Sequence, residues 1–103
     1  MGSHAVSRKA VRGVTREAVE KAKAEELCEW LRGQGYLSVK ILADGSVAML
    51  CELVFTRAIC LGANQEGWTY RFCFEDRELA SKRFEELKSE QDEPEGFIAR
   101  RFG

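Results

Sequence analysis

The sequence predicts an α+β fold. It reads as an N-terminal helix, an antiparallel sheet of four to five strands, and a second helix packed on the sheet before a short C-terminal strand. Three observations carry this. From Trp68 to Phe74 the residues alternate, with Trp68, Tyr70, Phe72 and Phe74 on one side and Thr69, Arg71 and Cys73 on the other. Directly after, Leu79, Ala80, Arg83, Phe84 and Leu87 recur at helical spacing. Asp76 stands at the switch, where its carboxylate can accept from the free amides of a first helical turn. A strand with four rings on one face must bury that face, and the helix that follows is its nearest cover.

The remaining elements follow in chain order. Residues 1–14 hold Arg8, Lys9 and Arg12 and no acid, and form a basic arm ahead of a single domain over 15–103. The Met-Gly-Ser-His start has the look of a cloning remnant. Thr15 is an N-cap candidate, with Glu17 in the first turn, and Gly33 ends the helix after Arg32. Its apolar side is Ala18, Ala22, Leu27, Cys28 and Leu31, with Trp30 at the margin. The first half of that side is only alanine, so it covers little alone and suits contact with another chain or the sheet rim.

A first strand is expected over Tyr36–Leu42, with Leu37, Val39 and Ile41 alternating against Tyr36, Ser38 and Lys40. Asp44-Gly45 marks a tight turn. From Val47 to Phe55 the chain is apolar except at Glu52, which suits a central strand, with Glu52 taken as the turn before a third strand over Phe55–Leu61. Residues 62–67 are a loop by composition, and the second helix is expected to end near Ser89. Between Glu75 and Glu95 there are nine acids against four bases, so one end of the molecule is acidic. Phe97–Phe102 reads as a last strand at a sheet edge.

Composition bounds the function. The chain of 103 residues suits one domain, and 45% hydrophobic with 32% charged residues is ordinary for a soluble globular protein. A net charge of −1 gives no global pull toward nucleic acid or membrane. No apolar run reaches the roughly 18 residues of a membrane span. Cys28, Cys51, Cys60 and Cys73 are irregularly spaced within apolar stretches, which suits buried thiols in a reducing cytoplasm rather than disulfides or zinc. The one histidine, His4, lies in the tag-like start, so neither a catalytic triad nor a histidine-bearing metal site is expected. Phosphate-loop glycine patterns are absent. Glu75, Asp76 and Glu78 read as helix-capping acids rather than a cation site. Cys73 stands two residues from Arg71, a pairing that could activate a thiol, against the plainer reading of a buried spectator. No catalytic residue, metal or cofactor is therefore assigned.

What remains is a binding face. If the strands share one sheet, Tyr36, Ser38 and Lys40 join Thr69, Arg71 and Cys73 on a semi-polar side without a covering helix. The candidate residues are Tyr36, Lys40, Arg57, Trp68, Tyr70, Arg71, Arg100 and Arg101. The leading expectation is a non-enzymatic interaction module, a homodimer or the partner of another protein. Two alternatives stay open. One is a single-stranded nucleic-acid binder, with phosphate on the basic groups and bases on the rings. The other is a small-molecule binder or small enzyme with a pocket near the aromatic strand.

Gln34–Leu37, Asp44–Ala48, Val54–Ile59, Arg71–Ala80 and Gly96–Arg101 together resemble small hypothetical proteins encoded on bacterial integron gene cassettes. The resemblance spans about Gln34 to Arg101 and rests on overall pattern. It implies a bacterial, cytoplasmic, stand-alone product of a mobile gene with an accessory role. It brings no established activity and no catalytic residue.

Overall fold

The computed structural model describes residues 15–103. The basic arm of residues 1–14 lies outside them. The elements are α1 (Arg16–Arg32), β1 (Ser38–Ile41), β2 (Val47–Glu52), β3 (Arg57–Leu61), β4 (Tyr70–Phe74), α2 (Arg77–Glu86) and β5 (Ala99–Phe102). The five strands form one antiparallel meander in the order β1-β2-β3-β4-β5. This is the α+β architecture read from the sequence, with the second helix on the sheet and a short last strand.

Both helices start at the expected caps. The Thr15 hydroxyl accepts from the Ala18 amide at 3.0 Å, and the Asp76 carboxylate accepts from the Leu79 amide at 3.1 Å. Each satisfies a donor that the helix itself cannot, worth about 1 kcal/mol. α1 ends at Gly33, and α2 ends at Glu86 with Leu87 as its cap. That is short of Ser89, because Asp92 captures the amides of Lys88 and Ser89 and turns the chain.

The helices take opposite sides of the sheet. α2 lies over β2, β3 and β4. Ala80, Phe84 and Leu87 pack with Leu42, Ala48, Leu50, Ile59, Leu61, Phe72 and Phe74, joined by Tyr70, Leu79 and Phe97. Phe72, Phe74 and Phe84 are fully buried, each stabilising the fold by roughly 1.5–3 kcal/mol. α1 packs on β1 from the other side, where Ala24, Cys28 and Leu31 meet Val39, Val47, Met49 and Cys60. That cluster contains no residue of β4 or β5. Ala18 and Ala22 are exposed, so the first two turns of α1 stand clear of the sheet.

Three local expectations are corrected. Trp68 does not share the face of Phe72 and Phe74; it packs with the α1 cluster. The chain bends at Thr69 before β4 begins, and the bend breaks the alternation. Glu52 is the last paired residue of β2, opposite Arg57, and the turn is Leu53–Thr56, closed by the Leu53 amide on the Thr56 carbonyl at 2.8 Å. Phe55 is therefore at the turn tip and not in β3, and it is 83% exposed beside Val54 at 81%. Leu37 precedes β1 and is half exposed, whereas Val39 and Ile41 are covered as expected, but by α1 and not on the aromatic side.

Candidate functional site

The alternation of β4 decides the site. Tyr70, Phe72 and Phe74 go to α2, so Arg71 and Cys73 must emerge on the other side. Register then sets their neighbours. Arg71 lies between Cys60 on β3 and Arg101 on β5, and Cys73 lies between Ala58 and Ala99. Cys51 on β2 stands opposite Ala58. Past the α1 cluster, which Cys51 borders, this half of the face thus has a floor of small side chains: Cys51 and Ala99, part-exposed, and Ala58 and Cys73, buried. Trp68, Arg71 and Arg101 rise beside it, and no described helix covers it.

The charge here is unbalanced. Arg71 and Arg101 stand directly opposite in the register of β4 and β5, a like-charge pairing that is unfavourable without an anion nearby. Among the described residues neither Arg71 nor Arg101 makes an ion pair. Residues 1–14 contain no Asp or Glu that could supply one. The Arg71 guanidinium lies 4.9 Å from the Trp68 ring centroid, and its Nε is buried without a hydrogen-bond partner. A buried N–H left unmade costs about 1–3 kcal/mol, so this arginine is held at a cost to the fold.

Three thiols border the arginine. The Sγ atoms of Cys51 and Cys60 are 3.5 Å apart, diagonal neighbours across β2 and β3. The hydrogen bond with the Cys60 thiol holds the Cys51 pKa below its usual value; burial opposes this, and the charge of Arg71 assists it. Cys60 is pushed up, first by that same hydrogen bond and then by burial. Burial also raises the phenol of Tyr36, which packs with the α1 cluster near these thiols. Cys73 is buried, and all four cysteines are free. No group of three or more His, Cys, Asp or Glu among the described residues is placed to hold a metal ion.

The structure divides the candidate residues between the two faces, which corrects the expectation of one semi-polar side. Trp68, Arg71 and Arg101 share the open half. Lys40, Arg57, Tyr70 and Arg100 are on the α2 side, and each is engaged there. Lys40 Nζ stands 4.6 Å from the Phe84 ring centroid. Arg57 donates to Glu52 at 2.7 Å and to the Ser81 hydroxyl at 2.8 Å. Arg77 donates to the second Glu52 oxygen at 2.6 Å, and the two guanidiniums, Arg57 foremost, hold the Glu52 carboxyl below the usual range. Tyr70 meets Phe102 edge-on at 5.6 Å. Arg100 sits 5.0–5.5 Å from the rings of Phe102, Phe72 and Tyr70 and pairs with Glu93 at 3.4 Å. The physical reason for the division is that turn lengths fix the phase of each strand. Lys40 pairs with Ala48, and Arg71 falls opposite Cys60.

Sequence reasoning missed the Arg71–Arg101 opposition and the Cys51–Cys60 contact, since both depend on register. No family model, curated protein or solved structure matches the chain.

Proposed function

We propose that the protein is a non-enzymatic interaction module that forms a homodimer through the open half of its α1-side sheet face. The observation that carries this is the Arg71–Arg101 pair with no anion of its own among the described residues, beside Trp68 and the part-exposed Cys51 and Ala99. Tryptophan and arginine are the residue types that anchor interfaces, and a flat floor of alanine and cysteine admits a close approach. The exposed alanines of α1 are a second surface in want of a neighbour. The free thiols fit a reducing compartment, and with the cassette resemblance they support an accessory role in a bacterial cytoplasm. No described helix is long and apolar enough to cross a membrane.

The nucleic-acid reading is less well supported. Lys40, Arg57 and Arg100 are held against rings or carboxylates on the opposite face from Arg71 and Arg101, so the described residues form no continuous basic track. Sedimentation of the full chain at micromolar concentration tests the proposal. A dimer mass is expected, and a monomer across that range removes the reading.

A further inference from the structure

Resting on that dimer, we infer that the anion completing the Arg71–Arg101 pair is the Glu26 carboxylate of a second copy, carried in by the outer side of its α1. Ala24, Cys28 and Leu31 are the buried side of α1. At 3.6 residues per turn, Ala22 and Glu26 project from the reverse, about 160° and 200° round the helix from Ala24. Both are exposed, as are Ala18 and Val19 one turn earlier. The outer side of α1 therefore carries Ala18, Val19 and Ala22 with the carboxylates of Glu26 and Glu29, and Trp30 at its margin.

Glu26 is also the free acid of that side. Glu20 pairs with Arg16 and Glu29 with Arg32, whereas Glu26 makes no ion pair among the described residues. The open half of the sheet carries the complementary set: the part-exposed Ala99, with Ala58 and Cys73 buried beside it, and two arginines lacking an acid.

The position of α1 makes the match reciprocal. One flank of the helix, with Glu25, Glu29 and Arg32, borders Ile41 at the β1 edge. The other flank, with Lys23 and Leu27, borders Val47, Ala63 and Thr69 and so looks toward the open half. α1 fills one half of the face and leaves the other. Two copies set face to face about a two-fold axis would each lay α1 over the half its partner leaves bare. The contact is isologous and closes at two copies. The alanines of the outer helix side meet the small floor, and Glu26 from each chain reaches the other's arginines. A carboxylate between the two arginines removes their like-charge opposition.

A charge swap tests this. Arg101 is exposed on the edge strand and Glu26 is exposed on the helix, so reversing either leaves the monomer core intact. Each of Arg101→Glu and Glu26→Arg is expected to weaken the dimer about tenfold or more in sedimentation equilibrium, and the combined variant to recover most of that loss. Arg71→Glu, with circular dichroism to verify folding, should behave as Arg101→Glu does. A wild-type dimer unmoved by either single reversal, or a combined variant no tighter than the singles, overturns the Glu26 contact while leaving the dimer standing. A wild-type monomer overturns both.

Discussion

Two aspartates outside the core do much of the local fastening. Asp44 accepts from the amide and hydroxyl of Ser46 and, across the fold, from the Glu90 amide at 2.8 Å, tying the β1–β2 turn to the loop after α2. Burial disfavours its charged form, but these donors outweigh it, Ser46 first, and hold the carboxyl below its ordinary value. Asp92 is lowered too, chiefly by the Lys88 amide. For groups depressed on folding, the stabilisation is fully present above the unfolded pKa and is lost as pH falls through the folded value. Thermal stability should therefore be level at neutral pH and decline below about pH 4. Replacing both aspartates by alanine should flatten that acid limb, and melts followed between neutral pH and strongly acid buffer check it. Gly62 offers a second residue-scale test. Its φ is +68°, and an added Cβ would lie 2.8 Å from Thr69 Cβ. Gly62→Ala combines left-handed backbone with a clash, and should cost about 1–3 kcal/mol by urea unfolding.

The β4–α2 pair organises the molecule at the scale of elements. Phe84 stands on α2 over Phe72, Phe74 and Ile59, fully buried, and it also seats Lys40 of the far edge strand. Phe84→Ala should cost about 3–5 kcal/mol in denaturant unfolding, while Phe55→Ala, at an exposed turn tip, should lie within about 0.5 kcal/mol of the parent. This pair was also the most legible part of the sequence. A period of two turning into a period of 3.6 at an aspartate cap leaves few alternatives: the strand from Tyr70 to Phe74, the Asp76 cap and the start of the helix stand where it put them, while Trp68 and the helix end do not. Strand phase was not legible, since one bend reassigns every side chain before it. Thr69 does this to Trp68. The tip at Val54–Phe55 was hidden for a related reason: an apolar run signals a buried strand, and nothing within it marks two residues as surplus.

On the scale of the whole molecule, the sheet is finished on one side and half finished on the other. α2 and the return through residues 87–98 close the aromatic face, with Pro94 buried and Arg83 donating to the Glu95 carbonyl at 3.1 Å. α1 closes only the β1 end of the reverse. The candidate residues were visible in the sequence as types, a tryptophan and arginines near an apolar strand. Which of them stand together was not, because Arg71 meets Arg101 only through the register of a strand lying 25 residues beyond the end of β4.

The central claim is that a second copy covers the open half. Cys51 reports on it most directly, since it lies half-buried on that floor with its thiol pKa lowered. Its alkylation by iodoacetamide, read by peptide mass spectrometry across a dilution series, should slow severalfold as the protein passes from monomer to dimer. A Cys51 rate that stays constant while the mass doubles would place the interface elsewhere and contradict the account.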